Sequence, residues 1–453
     1  MSLTVLLGGI IFVYLLMMRP DIVALIFFTI TIASINAEAG GLPLNLRALI
    51  GVSLFFRALA TKTKDKDPSF VSNSVAIMIF VFVIYSFFVT LFYDLYTIDV
   101  VKQSGLACIS AYLSYFYYWE FRRRNFDFLK FCLIAAGLIC FADLAYTYAA
   151  YGSFPVQRIH SAMMHMPIVE SEEDADAMNH NFFGQICGMC FVYIFNDYIN
   201  GRIKNKLTLL LFPVMFLGVL MSTSRSALLA IIFICFILVG RELKDKEKAK
   251  RVYSMLMFGV GGIFLALFLF LMAQSYLNID SAFMDEITSR LIDEPVAVIN
   301  KNLGLKYNAQ HLGPMDWREE ASSEGWKGFL GLPFHEQITG IGAGGFVYRR
   351  MIVGGYMPHN GIILILVEAG MIGLAIYSFI LTSIIRKSLK TKTISSLTII
   401  LFFFIFYCLG QNGELTSGIA FLFIGSLMAE NRYLAAHQEE GALEWSHAQP
   451  ARA

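Results

Sequence analysis

Long apolar runs recur along the whole chain and are separated by polar segments that carry most of the charge. A helix needs about 20 predominantly apolar residues to cross the hydrocarbon core of a bilayer. The runs therefore predict an all-α polytopic membrane protein with about 12 to 13 transmembrane helices. The predicted spans are residues 3–18, 22–37, 44–60, 70–93, 99–119, 126–150, 182–200, 206–221, 226–240, 252–277, 360–385, 394–410 and 415–430.

Lysine and arginine are concentrated in alternate loops between these spans. Loops that stay in the cytoplasm carry an excess of these two residues. The intervening loops lack the bias, and the segment at 170–176 is acidic. The basic loops are therefore predicted to be cytoplasmic and the others to face outward. The basic groups lie at 62–66, 122–124, 202–206, 244–251 and 386–392.

Two outward loops are long, at residues 151–181 and 278–359. Loops of more than about 15 residues are usually functional. The second contains a tryptophan-rich stretch and a glycine-rich one, which predicts a partly helical extracytoplasmic subdomain. The chain thus divides into an N-terminal transmembrane bundle (1–277), this extracytoplasmic loop subdomain (278–359), C-terminal transmembrane helices (360–430) and a polar cytoplasmic tail (431–453), which we expect to be disordered.

Composition supports lipid as the solvent of this chain. It is 57% hydrophobic and only 15% charged, whereas soluble domains carry about a quarter charged residues. The net charge of +1 gives no basic field for nucleic acid. Cys187 and Cys190 have the spacing of a redox or metal pair, but in an apolar run we interpret them as two small hydrophobic residues.

A polar turn at Ser222–Ser226 separates two apolar spans and is predicted to face outward. Its serines are suited to cap the next helix, and Arg225 at a membrane boundary can simply extend toward water. A boundary arginine is also a functional candidate, because its planar guanidinium matches phosphate oxygens. Because the turn is short, we expect the Arg225 guanidinium to point along the protein surface or into a cavity.

Pro358-His359-Asn360 marks the point where the large loop re-enters the membrane. His359 is suited to act as a general base or a hydrogen-bond donor, or is an interfacial histidine without chemistry. Asn360 is placed to cap the following helix. Glu368 lies deeper, where a carboxylate must be paired or protonated, and it is a candidate for orienting that helix.

Further cations lie in the two long outward loops, where each is either a solvated surface charge or part of an anion site. The outward histidines match no zinc spacing, so no metal is expected. The run from Gly340 to Gly345 resembles a dinucleotide fingerprint, but no βαβ unit surrounds it, and we expect a flexible or tightly turned segment leading to His359 instead. The cations concerned are Arg158, Arg290, Arg318, Arg349 and Arg350.

The order of these motifs resembles the O-antigen ligase and O-antigen polymerase superfamily. A Ser-Arg-Ser turn comes first, then a long outward loop with tryptophan and Gly-x-Gly. The pattern His-Asn-x-x-Leu-x-x-x-x-Glu-x-Gly-x-x-Gly-Leu follows, with Ile363 at its first leucine position. Arg158 followed by His180-Asn181 resembles the family's Arg…Pro-Asn segment, with His180 in place of proline. The residues that match the long pattern are His359, Asn360, Glu368, Gly370, Gly373 and Leu374.

The resemblance implies a GT-C-like, metal-independent glycan transferase in the bacterial inner membrane, with its site facing the periplasm and no cofactor. The donor would be an undecaprenyl-pyrophosphate-linked oligosaccharide. Arg225 would bind its pyrophosphate, with Arg290 as partner, and His359 would activate or orient the acceptor hydroxyl. Further candidates for substrate contact are Arg158, Arg318, Asn181 and Asn360, with Glu368 as structural support.

Several functions remain open at this point. A polymerase would extend another lipid-linked repeat, whereas a ligase would transfer the glycan to the lipid A core; we favour polymerase. A chain-length regulator and membrane lipids are the other expected partners. A protein O-oligosaccharyltransferase usually has a larger C-terminal domain. A transporter or flippase would show paired discontinuous helices and inverted repeats, and a non-enzymatic scaffold would not need both Arg225 and His359 at outward boundaries.

Overall fold

The chain folds as a bundle of helices. The computed structural model describes residues 17–33, 46–60, 70, 73–93, 97–124, 126–151, 180–203, 206–243, 245–255, 257, 261, 289, 293–308, 314–343, 360–389, 394–410, 415 and 417–447. Within these ranges the regular structure is helical and no strand occurs. The main helices are α1 (Pro20–Ile32), α2 (Leu46–Ala60), α3 (Ser74–Phe92), α4 (Thr97–Arg123), α5 (Phe128–Tyr151), α6 (His180–Ile199), α7 (Leu211–Met221), α8 (Arg225–Glu242), α9 (Glu294–Asn302), α10 (Pro314–Leu330), α11 (Phe334–Thr339), α12 (Gly361–Leu389), α13 (Ser396–Leu409) and α14 (Gly418–His447).

Within the described residues, four stretches are long and apolar enough to cross a membrane: Ser74–Phe92, Phe128–Ala145, Asn181–Ile199 and Gly361–Leu389. Three shorter apolar helices accompany them. Five large apolar side chains are exposed along one face of α3, as expected for a helix whose outer face contacts lipid. The prediction of an all-α polytopic membrane protein is therefore confirmed. The exposed α3 residues are Ile77, Phe80, Val81, Ile84 and Phe88.

The number of spans stays a prediction. Most of the predicted spans 3–18 and 252–277 lies outside the described residues. Elsewhere the helices follow the predicted runs to within a few residues. Where 206–221 was expected to be a single span, Lys206–Leu210 forms a 3₁₀ turn and α7 begins only at Leu211.

The expectation of a disordered tail after Glu430 is wrong for its first part, because α14 continues to His447. The segment is rich in alanine, leucine, glutamate and glutamine, which are strong helix formers. Contacts also hold its first turn: Asn431 Nδ2 donates to the carbonyl of Ile384 at 3.2 Å. The ring of Tyr433 packs edge-on against Trp119, with the centroids 5.6 Å apart.

Helix α6 is the centre of the bundle and packs against α5, α7, α8 and α13. Small residues allow the close approach of its neighbours. A Cβ added at Gly218 of α7 would lie 2.7 Å from Cys187 Sγ, and one added at Gly137 of α5 would lie 3.3 Å from Cys190 Cβ. Both thiols are free and buried. They pack as small hydrophobic groups, as expected from the sequence.

A buried polar cluster ties three helices together at the end of the bundle that is predicted to be cytoplasmic. Asp197 of α6 lies 3.0 Å from Lys130 Nζ of α5 and accepts a hydrogen bond from Ser396 Oγ of α13 at 2.7 Å. Asn196 Nδ2 donates to the same serine at 2.9 Å. Asp197 is only 4% exposed, so the cluster fixes the register of α13 against α6.

We predict that Asp197→Ala lowers the free energy of unfolding by about 2 kcal/mol, because it leaves Lys130 and Ser396 without their acceptor in a buried site. Thermal unfolding in detergent measures the change. Glu324→Ala is the control, since its ion pair with Lys327 is exposed and contributes little. Equal midpoints for both variants would contradict the prediction.

Candidate functional site

The polar turn at Ser222–Arg225 is buried, not solvated, at the junction of α7 and α8. Ser222 Oγ donates to the carbonyl of Val219 at 2.7 Å. Ser224 Oγ accepts from the backbone N–H of Ala227 at 3.4 Å and so caps α8, as the sequence predicts. Thr223 has a φ of +49°, which a β-branched residue rarely adopts. Strain of this kind persists only where the surroundings impose it.

Those surroundings are α6 and the end of α13. A Cβ at Gly184 would overlap Ser222 Oγ and lie 2.5 Å from Ser224 Cβ, so the backbone of α6 lies directly against the turn. Ser226 Oγ donates to the carbonyl of Gly410 at 3.2 Å. Three helices thus fix the position at which Arg225 leaves the backbone.

Arg225 extends from this turn to α9. Its Nη1 lies 2.5 Å from Oε2 of Glu294, the first residue of α9, and the side chains are 10% and 6% exposed. No acceptor among the described residues lies in line with the N–H bonds of Nη1. Among the described residues, the guanidinium is therefore a buried cation whose ion-pair partner is the Glu294 carboxylate.

A second buried donor lies on α6 near the turn. Gln185 follows Gly184 directly, is 3% exposed, and its Nε2 has no hydrogen-bond partner in the described part of the chain. Asn181 lies one helical turn earlier and is also buried, and its backbone carbonyl accepts from Tyr407 Oη at 2.8 Å. Asn181 and Gln185 are thus buried polar residues in the first two turns of α6, and Gln185 is next to the glycine that lies against the turn.

The glycine-rich segment after α11 docks on a break in α12. Gly370 has φ +67° and ψ −173°, which interrupts the helix and frees carbonyls that would otherwise bond within it. Ile341 N–H donates to the carbonyl of Val367, and Gly342 N–H to that of Glu368, both at 2.9 Å. The glycine-rich segment and Gly370 are separate motifs in the sequence. In the structure they meet in one contact that is made by backbone hydrogen bonds.

Helix α3 holds the same segment from the other side. Tyr85 Oη donates to the carbonyl of Thr339 at 2.8 Å. The backbone N–H of Ala343 donates to Thr90 Oγ1 at 3.0 Å. The glycine-rich run is thus a tightly turned segment fixed to two transmembrane helices, as expected, and it shows no strand in its described part.

Helices α9, α10 and α11 connect these two regions. Helix α9, which carries Glu294, contacts α10, and α10 and α11 both pack on α12. Phe329 and Leu332 form a small core with Ile341, Ile363, Leu366 and Val367. An ion pair and packing contacts therefore connect Arg225, through Glu294 and α10, to the N-terminal end of α12. The side chain of Asn360 caps that end, accepting from Ile362 N at 3.0 Å.

Residues 210–378 match the family model described as O-antigen ligase. The match supports the resemblance to the O-antigen ligase and O-antigen polymerase superfamily that the order of the motifs indicates. No curated protein and no solved structure matches significantly.

The O-antigen ligase region spans the elements just described. It begins before α7, contains the Ser222–Arg225 turn, Glu294 and the Gly340 segment, and ends in α12 beyond the break at Gly370. The family supports a glycosyl-transferring activity of the ligase or polymerase type. Asn181 and Gln185 of α6 lie outside the matched region.

The structure brings together only some of the residues singled out in the sequence. Arg225, Asn181, Asn360 and Glu368 have described positions; Glu368 is half-buried at the helix break. Arg318 lies on α10, but its side chain is outside the described part. The residues His359, Arg158, Arg290, Arg349 and Arg350 lie outside the described residues.

Sequence reasoning missed Glu294 and Gln185. Glu294 is followed by Pro295, a usual helix start, but nothing local indicates that its carboxylate pairs with an arginine on a distant span. Gln185 is one of few amides within an apolar run, a signal that could have identified it. The described residues contain no group of three or more histidine, cysteine, aspartate or glutamate side chains suited to a metal.

We predict that Gly370→Ala abolishes the native packing of the loop. A Cβ there would overlap the carbonyl oxygen of Ile338 and the backbone nitrogen of Gly340, and the residue needs a positive φ. Limited proteolysis of the purified protein should cut the 314–343 region much faster than in the parent.

Gly105→Ala is the matched control for this test. It lies in α4, and no atom lies within 4 Å of the Cβ it would carry. Proteolysis of Gly370→Ala at the same rate as Gly105→Ala would show that the contact between the glycine-rich segment and α12 does not depend on Gly370.

Proposed function

We propose that this protein transfers an oligosaccharide from an undecaprenyl-pyrophosphate donor to a glycan acceptor during surface polysaccharide assembly, acting as a polymerase. The observation that carries the proposal is Arg225, a nine-tenths buried cation at the start of an apolar helix with one carboxylate partner at 2.5 Å. A guanidinium has five N–H donors, so donors remain for an oxyanion. A guanidinium with donors available suits the oxygens of a lipid-linked diphosphate at the membrane boundary.

The chemistry follows from charge. As the glycosidic bond breaks, the leaving pyrophosphate gains negative charge, so a fixed cation stabilises the transition state more than the ground state. In the proposal Arg225 supplies that cation, with Arg290 as its expected partner. His359 accepts the proton of the acceptor hydroxyl or orients it from the opposite side of the sugar, which favours inversion. No metal or cofactor is required by this scheme.

The remaining candidates are assigned to substrate binding. Arg158, Arg318, Asn181 and Asn360 are proposed to contact the pyrophosphate or glycan, and Glu368 to support α12. Asn360 already uses its side-chain oxygen as a helix cap, so in this scheme its amide nitrogen meets the substrate. Gln185, with a buried Nε2 that lacks a partner, is added as a donor to a sugar or phosphate oxygen.

The same proposal fixes location and orientation. The protein lies in the bacterial inner membrane, and the Arg225 end of the bundle faces the periplasm. Support comes from the basic groups near 202 and 244, which lie at the opposite ends of α6 and α8 from the turn. Lipid-linked donor, glycan acceptor and a chain-length regulator would then meet on the periplasmic side.

We predict that Leu305→Cys is labelled by a membrane-impermeant maleimide in intact spheroplasts, because residue 305 is exposed in the outward loop. Lys246→Cys, exposed after α8, should be labelled only after the membrane is opened. The reverse pattern would invert the assigned orientation. The parent protein is the control for background, since its cysteines are buried or partly buried.

We predict that Arg225→Ala and His359→Ala each lower the transfer rate by about 10²- to 10³-fold, the usual cost of removing a transition-state donor or base. The measurement uses purified protein in proteoliposomes with lipid-linked oligosaccharide extracted from cells that lack the gene. Arg241→Ala is the matched control, because Arg241 lies at the other end of α8. Full activity of both variants would end the catalytic assignment and favour transport or scaffolding.

The product separates polymerase from ligase. In cells that carry an inactive variant, single repeats attached to the lipid A core indicate that polymerisation has failed. Lipid-linked polymer that never reaches the core indicates a missing ligase. Membrane expression is measured in parallel, so that loss of the protein is not taken for loss of activity.

A further inference from the structure

Glu294 joins the described helices of the large loop to the Ser222–Arg225 turn. Its carboxylate lies 2.5 Å from Arg225 Nη1, and it begins α9, a helix whose other contacts lead through α10 to α12. Arg225 itself begins α8, in the membrane bundle. The pair therefore joins the part of the molecule that anchors the cation to the part that contains the loop.

A buried ion pair of this kind needs a reason other than stability. Removing two charges from water costs several kcal/mol per ion, and well-packed apolar residues often serve equally well or better. Apolar side chains fit the buried face of this helix, since Ala297 and Val298, one turn further along α9, are buried hydrophobic groups. The acid at position 294 is therefore better explained by an effect on the Arg225 guanidinium than by stability.

The geometry indicates that this effect is on the orientation of the guanidinium. An arginine side chain is long and has many rotamers, so its guanidinium is not oriented by its backbone position alone. The Glu294 carboxylate lies 2.5 Å from Nη1 but not along its N–H bonds, so its charge holds the guanidinium at this position while the Nη1 donors stay available to another acceptor. A donor that is already aimed does not have to be ordered when charge develops in the substrate.

We propose that Glu294 is the positioning residue of Arg225: it holds the guanidinium so that its remaining N–H groups face the diphosphate of the donor lipid. The inference rests on the proposed function of Arg225. Glu294 does not touch the reacting atoms, and its effect reaches them only through the arginine.

A positioning role for Glu294 predicts a fall in kcat without a rise in the donor KM, which a purely structural role does not. Glu294→Gln keeps the size of the side chain but removes its charge. Arg225 then loses its orientation, and kcat should fall about 10- to 100-fold, as small misplacements of catalytic groups do. The donor KM should stay the same or decrease, because the neutralising carboxylate no longer competes for the cation.

The experiment compares Glu294→Gln with Glu242→Gln in proteoliposomes with the extracted lipid-linked oligosaccharide. Glu242 is the matched control: it is a buried acid at the other end of α8, 2.5 Å from Lys248 Nζ. Both variants lose the charge of one buried acid, so their thermal stabilities should fall by similar amounts. Only Glu294→Gln should lose kcat.

A charge swap sharpens the test. Arg225→Glu combined with Glu294→Arg retains an ion pair between α8 and α9 but moves the cation to the other helix. Its thermal stability should recover relative to Arg225→Glu alone, while its transfer activity should not. Recovery of both would show that only the presence of the pair matters.

The outcomes are distinguishable. An unchanged kcat in Glu294→Gln, or a joint loss of kcat, donor affinity and stability beyond that of Glu242→Gln, overturns the positioning role. If Arg225→Ala is itself fully active, the proposed function fails first, whatever Glu294→Gln shows. If Arg225→Ala is inactive and Glu294→Gln is fully active, the arginine keeps its role and only the inference about Glu294 is lost.

Discussion

A cation buried at a membrane boundary must have an anion near it, and much of this molecule is arranged around that requirement. The backbone of α6 lies against the Ser222–Arg225 turn, α13 accepts a hydrogen bond from it, and Glu294 reaches it from the large loop. None of these partners is close to Arg225 in the sequence. The tertiary structure is therefore what keeps the charge in place, and loss of any of the three supports would leave it exposed to lipid or unpaired.

The second organising contact is made by main chains. Where Gly370 interrupts α12, the freed carbonyls of Val367 and Glu368 receive the N–H groups of Ile341 and Gly342. A helix break inside an apolar span is costly unless the released groups find partners, and the glycine-rich segment supplies them. The break and the loop thus satisfy each other, and the outward end of α12, capped by Asn360, is held to both.

The sequence predicted the helical spans well, because apolar runs of about 20 residues have one stable form in lipid. It also predicted the Ser224 and Asn360 caps, which are local. It did not predict the Arg225–Glu294 pair, since a charge pair between distant elements leaves no periodic signal. The tail was judged by polarity alone, whereas its helix-forming residues and the Asn431 and Tyr433 contacts extend α14. The functions of Arg158, Arg290 and His359 stay predictions, because these residues lie outside the described structure.

The main-chain character of the loop junction has a consequence for how such a protein can vary. Peptide N–H and C=O groups are the same in every amino acid, so the two hydrogen bonds at the break in α12 do not depend on side-chain chemistry. Particular residues are needed at Gly340 and Gly370, where any Cβ meets backbone atoms, and at Tyr85 and Thr90, whose side chains bond to the same segment. The exposed faces of α10 and α11 lie outside these contacts. They can therefore diverge in composition while the attachment of these helices to α12 is conserved.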